Sequence, residues 1–394
     1  MSSRPAPLHR RRLLGALPAL GAVALLSACD PIGFAPASPR VDAAAPVQVA
    51  LLVPGGSGDA GRQALADSLE NAARMAVADL SGVQIDLRVY ETGGNADRAA
   101  TAARTAVDEG ARIILGPVFS GEARAAGAAV ADQGINVLSF SNNTEIAGGN
   151  VFVLGHTFEN TASRLLAHAA AEGRGQVMVV SERTSDGAAA EAAINRAAAR
   201  AGAGVIVATE RYAFSQQGIV DALPSIASTA RSSGAQTILF TANSAGALPI
   251  LAQLLPENRV APPRFQFMGL TRWDIPPATL ELRGLQGGWF ALPDPTVTRR
   301  FEERYNAANG RNPHAIAGLG YDGIAAIGAL LGTGRTDAFS VEALTQASGF
   351  VGVGGVFRLR SDGSNERGLA VATIQDNEVV ILDPAPRAFA GAGS

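Results

Sequence analysis

Short apolar runs alternate along the chain with longer segments whose apolar positions repeat every three or four residues. Residues 47–53 are apolar at almost every position, which predicts a strand buried on both faces of a parallel sheet. Residues 64–80 carry leucine and alanine at helical spacing. This alternation continues to residue 268 and restarts once, after His156. The pattern predicts an α/β fold of two similar units, each with its own parallel sheet and helices on both faces.

The end of the chain has a different pattern. From residue 353 onward, short alternating runs are separated by tight turns, of which Ser361-Asp362-Gly363 is one. Alternation with tight turns is typical of antiparallel strands. We therefore predict a small antiparallel element that closes one lobe, and an end of the ordered chain at residues 383–386.

Composition limits the possible functions. The 394 residues are 47% hydrophobic and 17% charged, which suits a globular chain with room for two domains. The net charge of −3 and the lack of a basic stripe argue against a nucleic-acid partner. The four histidines have no metal-ligand spacing, and the chain contains neither a P-loop nor a G-x-S-x-G elbow. We expect no catalytic residue, no metal and no cofactor, and hence a protein that is not an enzyme.

The single cysteine, Cys29, ends an N-terminal segment of three parts. Arginines precede an apolar stretch from Leu13 to Leu26, and small residues then lead into the cysteine. The stretch is too short for a transmembrane helix and has the order of a signal peptide. Small residues before a cysteine resemble a lipobox, so we predict that residues 1–29 are a lipoprotein signal peptide with Cys29 lipidated. The arginine run 10–12 fits either Sec or twin-arginine export.

Residues 30–46 are rich in proline, alanine and serine, which predicts a tether between the lipid and the folded body. This arrangement predicts a periplasmic protein that is anchored to a membrane by its lipid. Asp30 resembles the inner-membrane retention signal of enteric bacteria. The sequence itself leaves both the inner and the outer membrane open.

Three turns between a strand and a helix carry the candidate chemistry. Residues 56–61 match G-x-G-x-x-G, but Glu91 lies further on than a dinucleotide fingerprint requires, so we expect only N–H groups that attract an anion. Ser120 is placed to cap the helix that follows the second turn. The third turn, residues 139–144, clusters short donors and acceptors. Such turns meet at the strand ends, where open α/β sheets bind ligands.

The order of four short motifs resembles the leucine/isoleucine/valine-binding protein family of type I periplasmic binding proteins. The motifs are Leu-Gly-Pro-Val-Phe-Ser at 115–120, Gly-Ile-Asn-Val-Leu-Ser-Phe-Ser at 134–141, Phe-Met-Gly at 267–269 and Tyr-Asp-Gly-Ile at 321–324. The resemblance covers nearly all of residues 47–382. It implies two Rossmann-like lobes with parallel sheets, joined by a three-crossover hinge and closing over a small ligand.

The resemblance also implies how the chain divides between the lobes. Crossovers near Thr157, Gly269 and Phe339 give an N-terminal lobe of residues 47–157 plus 269–338. The C-terminal lobe then comprises residues 158–268 plus 339–384. The last ten residues, 385–394, are expected to form a disordered tail.

In this family, a serine after the first Gly-Pro turn and a small-residue triplet after the next strand hold the α-carboxylate of the ligand. Short donors at helix starts suit that task. The loops of the second lobe hold the rest of the ligand, with Asp186 or Asp274 in place of the acid that usually meets the ammonium. The predicted ligand-binding residues are therefore Ser120, Ser141, Asn142, Asn143, Asp186, Asn243 and Asp274.

Two functions follow from the resemblance. The first is a solute-binding protein that delivers an amino acid or a similar zwitterion to an ABC permease. The family's usual ammonium cage is not intact here, because Asp186 stands where an aromatic residue is usual and residues 241–244 also depart from the pattern. The second function is therefore a lipoprotein that activates a penicillin-binding peptidoglycan synthase through protein contacts.

Overall fold

The structure, a computed structural model, describes residues 38–200 and 204–389. The predicted signal peptide, Cys29 and residues 30–37 of the tether lie outside the described residues. The first elements along the chain are β1 (Val47–Val53), α1 (Ala60–Asp79), β2 (Ile85–Glu91), α2 (Ala96–Asp108), β3 (Ile113–Leu115), α3 (Ser120–Val130), β4 (Val137–Ser139), β5 (Val151–Val153), α4 (Phe158–Ala171), β6 (Gln176–Glu182), α5 (Ser185–Ala199) and β7 (Val205–Tyr212). They are followed by α6 (Gln216–Ser232), β8 (Thr237–Phe240), α7 (Leu248–Glu257), β9 (Gln266–Gly269), β10 (Trp289–Leu292), α8 (Pro295–Asn309), α9 (Gly318–Leu331), α10 (Val341–Leu344), β11 (Phe350–Gly352), β12 (Gly355–Leu359), β13 (Asn365–Arg367), β14 (Ala370–Gln375) and β15 (Glu378–Asp383).

The N-terminal lobe is built on a five-stranded parallel sheet with the strand order β2-β1-β3-β4-β5. All seven residues of β1 are buried, as its apolar run predicts. Alternate residues of a strand point to opposite faces of a sheet. Val49 and Leu51 accordingly pack in one core with α1 and α9, and Ala50 and Leu52 pack in a second core with α2 and α3.

The C-terminal lobe is built on a seven-stranded sheet with the order β15-β14-β10-β9-β8-β6-β7. Strands β6 to β10 are parallel, and β14 and β15 add an antiparallel edge. Helices α6 and α7 cover one face, and α4 and α5 cover the other. The predicted α/β architecture of two lobes with parallel sheets is therefore confirmed.

The second crossover follows β10 and does not lie at Gly269, where it was predicted. Strand β10 pairs with β9 in the C-terminal lobe. Trp273 and Phe290 are fully buried in the core of that lobe, with their ring centroids 6.2 Å apart. These contacts keep residues 270–292 on the C-terminal lobe. The chain returns to the N-terminal lobe with α8, where Tyr305 packs in a small core with Ala72 of α1.

The third crossover lies near Gly368, not near Phe339 as predicted. Phe339 and Phe357 are both buried in the core that contains Leu51 of β1, so residues 339–367 belong to the N-terminal lobe. Strands β11, β12 and β13 form a small antiparallel sheet there. The end of the chain thus adds antiparallel strands to both lobes, whereas the sequence predicted one such element.

A buried ion pair lies where the first and third crossovers meet. The first crossover spans residues 154–157, between β5 and α4. From the third crossover, Arg367 donates a hydrogen bond of 3.0 Å to the Leu154 carbonyl and one of 3.0 Å to Asp322 of α9. Both side chains of the ion pair are 2% exposed. Arg367 therefore ties both crossovers to a helix of the N-terminal lobe.

The two chain ends are more ordered than the sequence predicts. Val41, expected in the tether, is buried in the N-terminal lobe, and its N–H donates to the Thr336 carbonyl at 2.8 Å. Ala385 and Phe389 are buried, although residues 385–394 were expected to form a disordered tail. The guanidinium of Arg358 lies 4.5 Å from the ring centroid of Phe389, a cation–π distance. The prediction of disorder is therefore wrong for residues 385–389.

Candidate functional site

A cavity of about 470 Å³ lies between the two lobes. It is at the carboxyl ends of parallel strands, where open α/β sheets bind ligands. The predicted residues that line it are Ser120, Asn142, Asn143 and Asp186. None of its other polar lining residues was predicted as a ligand contact; they are Thr144, Glu145, Thr157, Glu159, Ser185 and Arg196.

Ser120 is the first residue of α3 and not its cap. Phe119 occupies the N-cap position in extended conformation and makes no side-chain capping bond. The half-buried Ser120 therefore keeps its hydroxyl for the cavity that it lines. The N–H groups of the first helical turn and the positive end of the helix dipole lie at the same place. This end of α3 is suited to an anionic group such as a carboxylate.

The residues of the triplet Ser141–Asn143 have different roles. Ser141 is 5% exposed and does not line the cavity, and its hydroxyl oxygen accepts the N–H of Asn143 at 3.1 Å. The Asn143 side-chain oxygen accepts the N–H of Glu145 at 2.9 Å and so begins a short 3-10 turn. Asn142 and Asn143 line the cavity. Ser141 thus shapes the loop, while the two asparagines present their amides to the cavity.

On the other side of the cavity, Asp186 lies in the first turn of α5. The N-cap residue of this helix is Thr184, whose hydroxyl accepts the N–H of Gly187 at 3.0 Å. A Cβ atom at Gly187 would collide with the Glu182 carbonyl oxygen, so the tight turn after β6 requires a glycine there. The turn leaves the Asp186 side chain exposed at the cavity wall.

Besides Ser141, two predicted ligand contacts lie outside this cavity. Asn243 is exposed in the turn after β8, where its carbonyl accepts the N–H of Gly246 at 3.1 Å. Asp274 is paired with Arg272, and both line a separate cavity of about 210 Å³. The acid that was predicted to meet an ammonium near Gly269 is thus engaged by a neighbouring guanidinium.

An ion-pair cluster that the sequence analysis missed closes one end of the cavity. Glu159, in the first turn of α4, is 8% exposed and pairs with both Arg196 and Arg200 of the C-terminal lobe. Arg196 also reaches the Thr144 hydroxyl of the N-terminal lobe at 3.4 Å. The sequence could have indicated Arg196 as a lining residue, because it lies ten residues after Asp186 on the same helix.

A neutral histidine lies at the first crossover. Burial lowers the pKa of His156 well below its usual range, and the nearby positive charges of Arg367 and Arg272 lower that pKa further. Within residues 38–200 and 204–389, no group of three or more acidic, histidine or cysteine side chains could hold a metal ion. In the same residues, no helix has the length and apolar character needed to cross a bilayer.

Comparison with solved structures shows the same fold in bacterial transport proteins. An ABC transporter protein from Rhodospirillum rubrum matches at 19% identity with a TM-score of 0.72, over 86% of this chain and 100% of that one. A branched-chain amino acid ABC transporter periplasmic ligand-binding protein from Burkholderia xenovorans matches at 21% identity with a TM-score of 0.65, over 86% and 96%. A benzoate-bound solute-binding protein from R. palustris matches at 17% identity with a TM-score of 0.55, over 88% and 98%.

The comparison with sequence families covers most of the chain. No curated protein sequence matches. The model of a family described as periplasmic binding protein matches residues 46–378, which contain all the elements of both lobes up to the start of β15. The chain belongs to the periplasmic binding protein family.

Proposed function

We propose that this protein is a lipid-anchored solute-binding protein that captures a small zwitterion, an amino acid or a similar compound, for an ABC transporter. The observation that carries the proposal is the cavity between the lobes. It brings Ser120, Asn142 and Asn143 from one lobe together with Asp186 from the other. Hydroxyl and amide donors at a helix start suit a carboxylate, and a carboxylate on the opposite wall suits an ammonium.

The ligands of similar proteins are consistent with this arrangement. One relative is described as a branched-chain amino acid transporter protein, and another is described as bound to benzoate. Both kinds of ligand carry a carboxylate, which the donors around Ser120 would hold. Benzoate has no ammonium, so Asp186 favours an amino compound over a simple aromatic acid in this chain.

A thermal-shift experiment tests the proposal. The mature protein in detergent is melted with a panel of amino acids, short peptides and muropeptides. A ligand at about 1,000 times its Kd stabilises the folded state by about 4 kcal/mol, which is about 10 °C for lobes of this size. A shift of that order with one class of compound supports solute binding. A flat panel, from folded protein that carries no ligand already, contradicts it.

A second candidate function is activation of a penicillin-binding peptidoglycan synthase by protein contact. It is favoured by the incomplete ammonium site, because Asp274 is paired with Arg272 and Asn243 is outside the cavity. The test is co-purification with solubilised class A synthases together with an assay of glycan polymerisation. Enrichment with stimulation supports this function, and the absence of both removes it.

A further inference from the structure

We infer that the cavity takes a linear peptide of three or four residues with both termini free, lying along α5 with its ammonium at Asp186 and its carboxylate at Arg196. The inference rests on the proposed solute-binding function and specifies the class of ligand. The cavity that lies between the two lobes defines the site. Its length and its charged ends define the ligand.

The length follows from the spacing of the lining residues on α5. Asp186, Ala189, Ala193 and Arg196 line the cavity, and their spacing of three, four and three residues places them along one side of the helix. Ten residues of α-helix rise about 15 Å. Helical side chains lean toward the N-terminus, so the Arg196 guanidinium lies closer to Asp186 than that. A distance of about 10–13 Å corresponds to three or four extended residues at about 3.3 Å each.

Free amino acids can meet Asp186 and the donors of the N-terminal lobe, but they do not reach Arg196. Their ammonium and α-carboxylate are on one carbon atom, so they contact one end of the cavity and leave the other end to water. The cavity volume of about 470 Å³ is within the range of sites that hold ligands larger than a single amino acid.

Arg196 is oriented for a carboxylate by contacts with both lobes. Its Nε donates to Glu159 at 2.9 Å, and one terminal nitrogen reaches the Thr144 hydroxyl at 3.4 Å. Glu159 is shared with Arg200, which also approaches Asp362 at 4.0 Å, so the Glu159 carboxylate is divided between two guanidinium groups. The Arg196 side chain remains 47% exposed and is the only cationic lining residue described. The acidic lining residue Glu145 is solvent-exposed, as Asp186 is, so water and salt weaken the charges of both carboxylates.

The walls between the two ends suit a peptide backbone. On the C-terminal lobe, Ala189, Ala192 and Ala193 present only methyl groups to the cavity. On the N-terminal lobe, the amides of Asn142 and Asn143 offer both donors and acceptors. A peptide has alternating N–H and C=O groups, which such side chains can pair with regardless of the peptide's own side chains.

Calorimetric titration of the mature protein in detergent tests the inference. The probes are alanine, the unblocked alanine peptides of two to five residues, and tetra-alanine with an acetylated N-terminus or an amidated C-terminus. We expect the Kd to fall with length up to three or four residues. Blocking either end should raise the Kd about tenfold to a hundredfold, because a charge-assisted hydrogen bond is lost.

The variant Arg196→Gln separates a ligand contact from a general effect. This variant should weaken the binding of tetra-alanine as much as amidation of the peptide does. It should not weaken the binding of the amidated peptide further. The control Arg74→Gln removes an arginine that pairs with Glu70 on α1, away from the cavity. It should leave the affinity for both peptides unchanged. The inference is overturned if Arg196→Gln loses the same affinity for tetra-alanine and for its amidated form. It is also overturned if free alanine binds as tightly as tetra-alanine. If amino acids bind and peptides do not, only the inference fails, whereas the proposed function fails as well if no amino acid or peptide binds.

Discussion

Ser120 and Asn143 show how the N-terminal lobe keeps polar atoms available for a ligand. Ser120 begins α3 without capping it, so its hydroxyl is not engaged by the helix. Asn143 caps a 3-10 turn with its side-chain oxygen, while its amide N–H groups have no hydrogen-bond partner among the described residues. The carboxylate of an amino acid, or a backbone carbonyl group of a bound peptide, can therefore bind to both side chains without breaking an internal hydrogen bond. Ser141 is less well placed, because its side chain is buried and does not line the cavity.

Removing these donors should weaken ligand binding without unfolding the protein. Ser120→Ala should raise the Kd about tenfold, because it removes a hydrogen bond to the ligand that is worth about 1–1.5 kcal/mol for a carbonyl group and more for a carboxylate. Asn143→Asp retains the capping oxygen but replaces the donor with a negative charge, so it should raise the Kd at least as much. Calorimetric titration measures both effects. Ser225→Ala, on the outer surface of α6, is the control, and wild-type affinity in both site variants would show that the site is assigned wrongly.

The pKa of His156 predicts a loss of stability in acid. Burial and two arginines lower its pKa in the folded state, whereas the unfolded chain has the ordinary value of about 6.5. Below that pH the unfolded state binds the proton and the folded state does not, so stability falls as the pH decreases from about 6.5 toward the lowered pKa. Urea midpoints at about pH 7.5 and about pH 5 should therefore differ more in wild type than in His156→Gln. The exposed His314→Gln should behave as wild type, and an equal drop in all three proteins would contradict the prediction.

Among the elements, those with a strong repeating pattern were predictable and short ones were not. β1 is apolar on both faces and is buried throughout. β10 has only four residues, and the sequence analysis did not find it, so the pattern offered nothing to correct the crossover that the resemblance implied near Gly269. Residues 339–367 were assigned to the wrong lobe, because their small sheet packs through Phe350 and Phe357 into the core of the first lobe. Which core a short apolar strand joins depends on tertiary contacts that its own pattern does not contain.

The same limit applies to the candidate site. Ser120, Asn142 and Asp186 follow the carboxyl ends of strands, and the fold rule for open sheets places such residues at the cleft. Asn243 also follows a strand, but the turn after β8 keeps it outside the cavity. Arg196 was missed because it lies in the last turn of a helix, where a surface arginine is the ordinary expectation. Its role depends on the buried Glu159, and the sequence does not show that the two are neighbours.

The N-cap of α5 links an element's stability to the site. Thr184→Ala removes the hydroxyl that accepts the Gly187 N–H, which should cost about 1 kcal/mol of stability. It should also weaken ligand binding, because the first turn of α5 carries Asp186. Ser215→Ala removes the equivalent cap of α6, where the hydroxyl accepts the Gly218 N–H at 3.0 Å, and no residue of that turn lines the cavity.

Chemical denaturation measures the stability of the two cap variants, and titration measures their ligand affinity. Both should lose similar stability, and only Thr184→Ala should lose affinity. If Ser215→Ala loses as much affinity as Thr184→Ala, then general destabilisation is the cause, and Asp186 is not positioned by the cap.

For the whole molecule, the contacts between the lobes are unevenly distributed. On the side of the first crossover, Arg196 reaches Thr144, and Arg200 approaches Asp362 at 4.0 Å. Elsewhere, apolar side chains that follow the carboxyl ends of strands remain exposed on both lobes, with Phe119 after β3 at 42% and Phe214 after β7 at 59%. Closure about a hinge brings the strand ends of the two lobes toward each other. The exposed phenylalanines are therefore well placed to report closure over a ligand.

Tryptophan substitution on β7 or just beyond it should detect that closure. Tyr212 of β7 pairs with Glu182 of β6, so Phe214 is at the cleft end of the sheet, and Val205 begins the same strand at the opposite end. Both side chains are 59% exposed, which makes Val205→Trp a matched control for Phe214→Trp. Ligand should shift the emission of Phe214→Trp to shorter wavelength, because closure removes water from the indole, while Val205→Trp should not respond. The native Trp273 and Trp289 are already buried and contribute a constant background. If neither variant shows a shift at a ligand concentration that calorimetry shows to be saturating, then the protein binds its ligand without closure of the lobes.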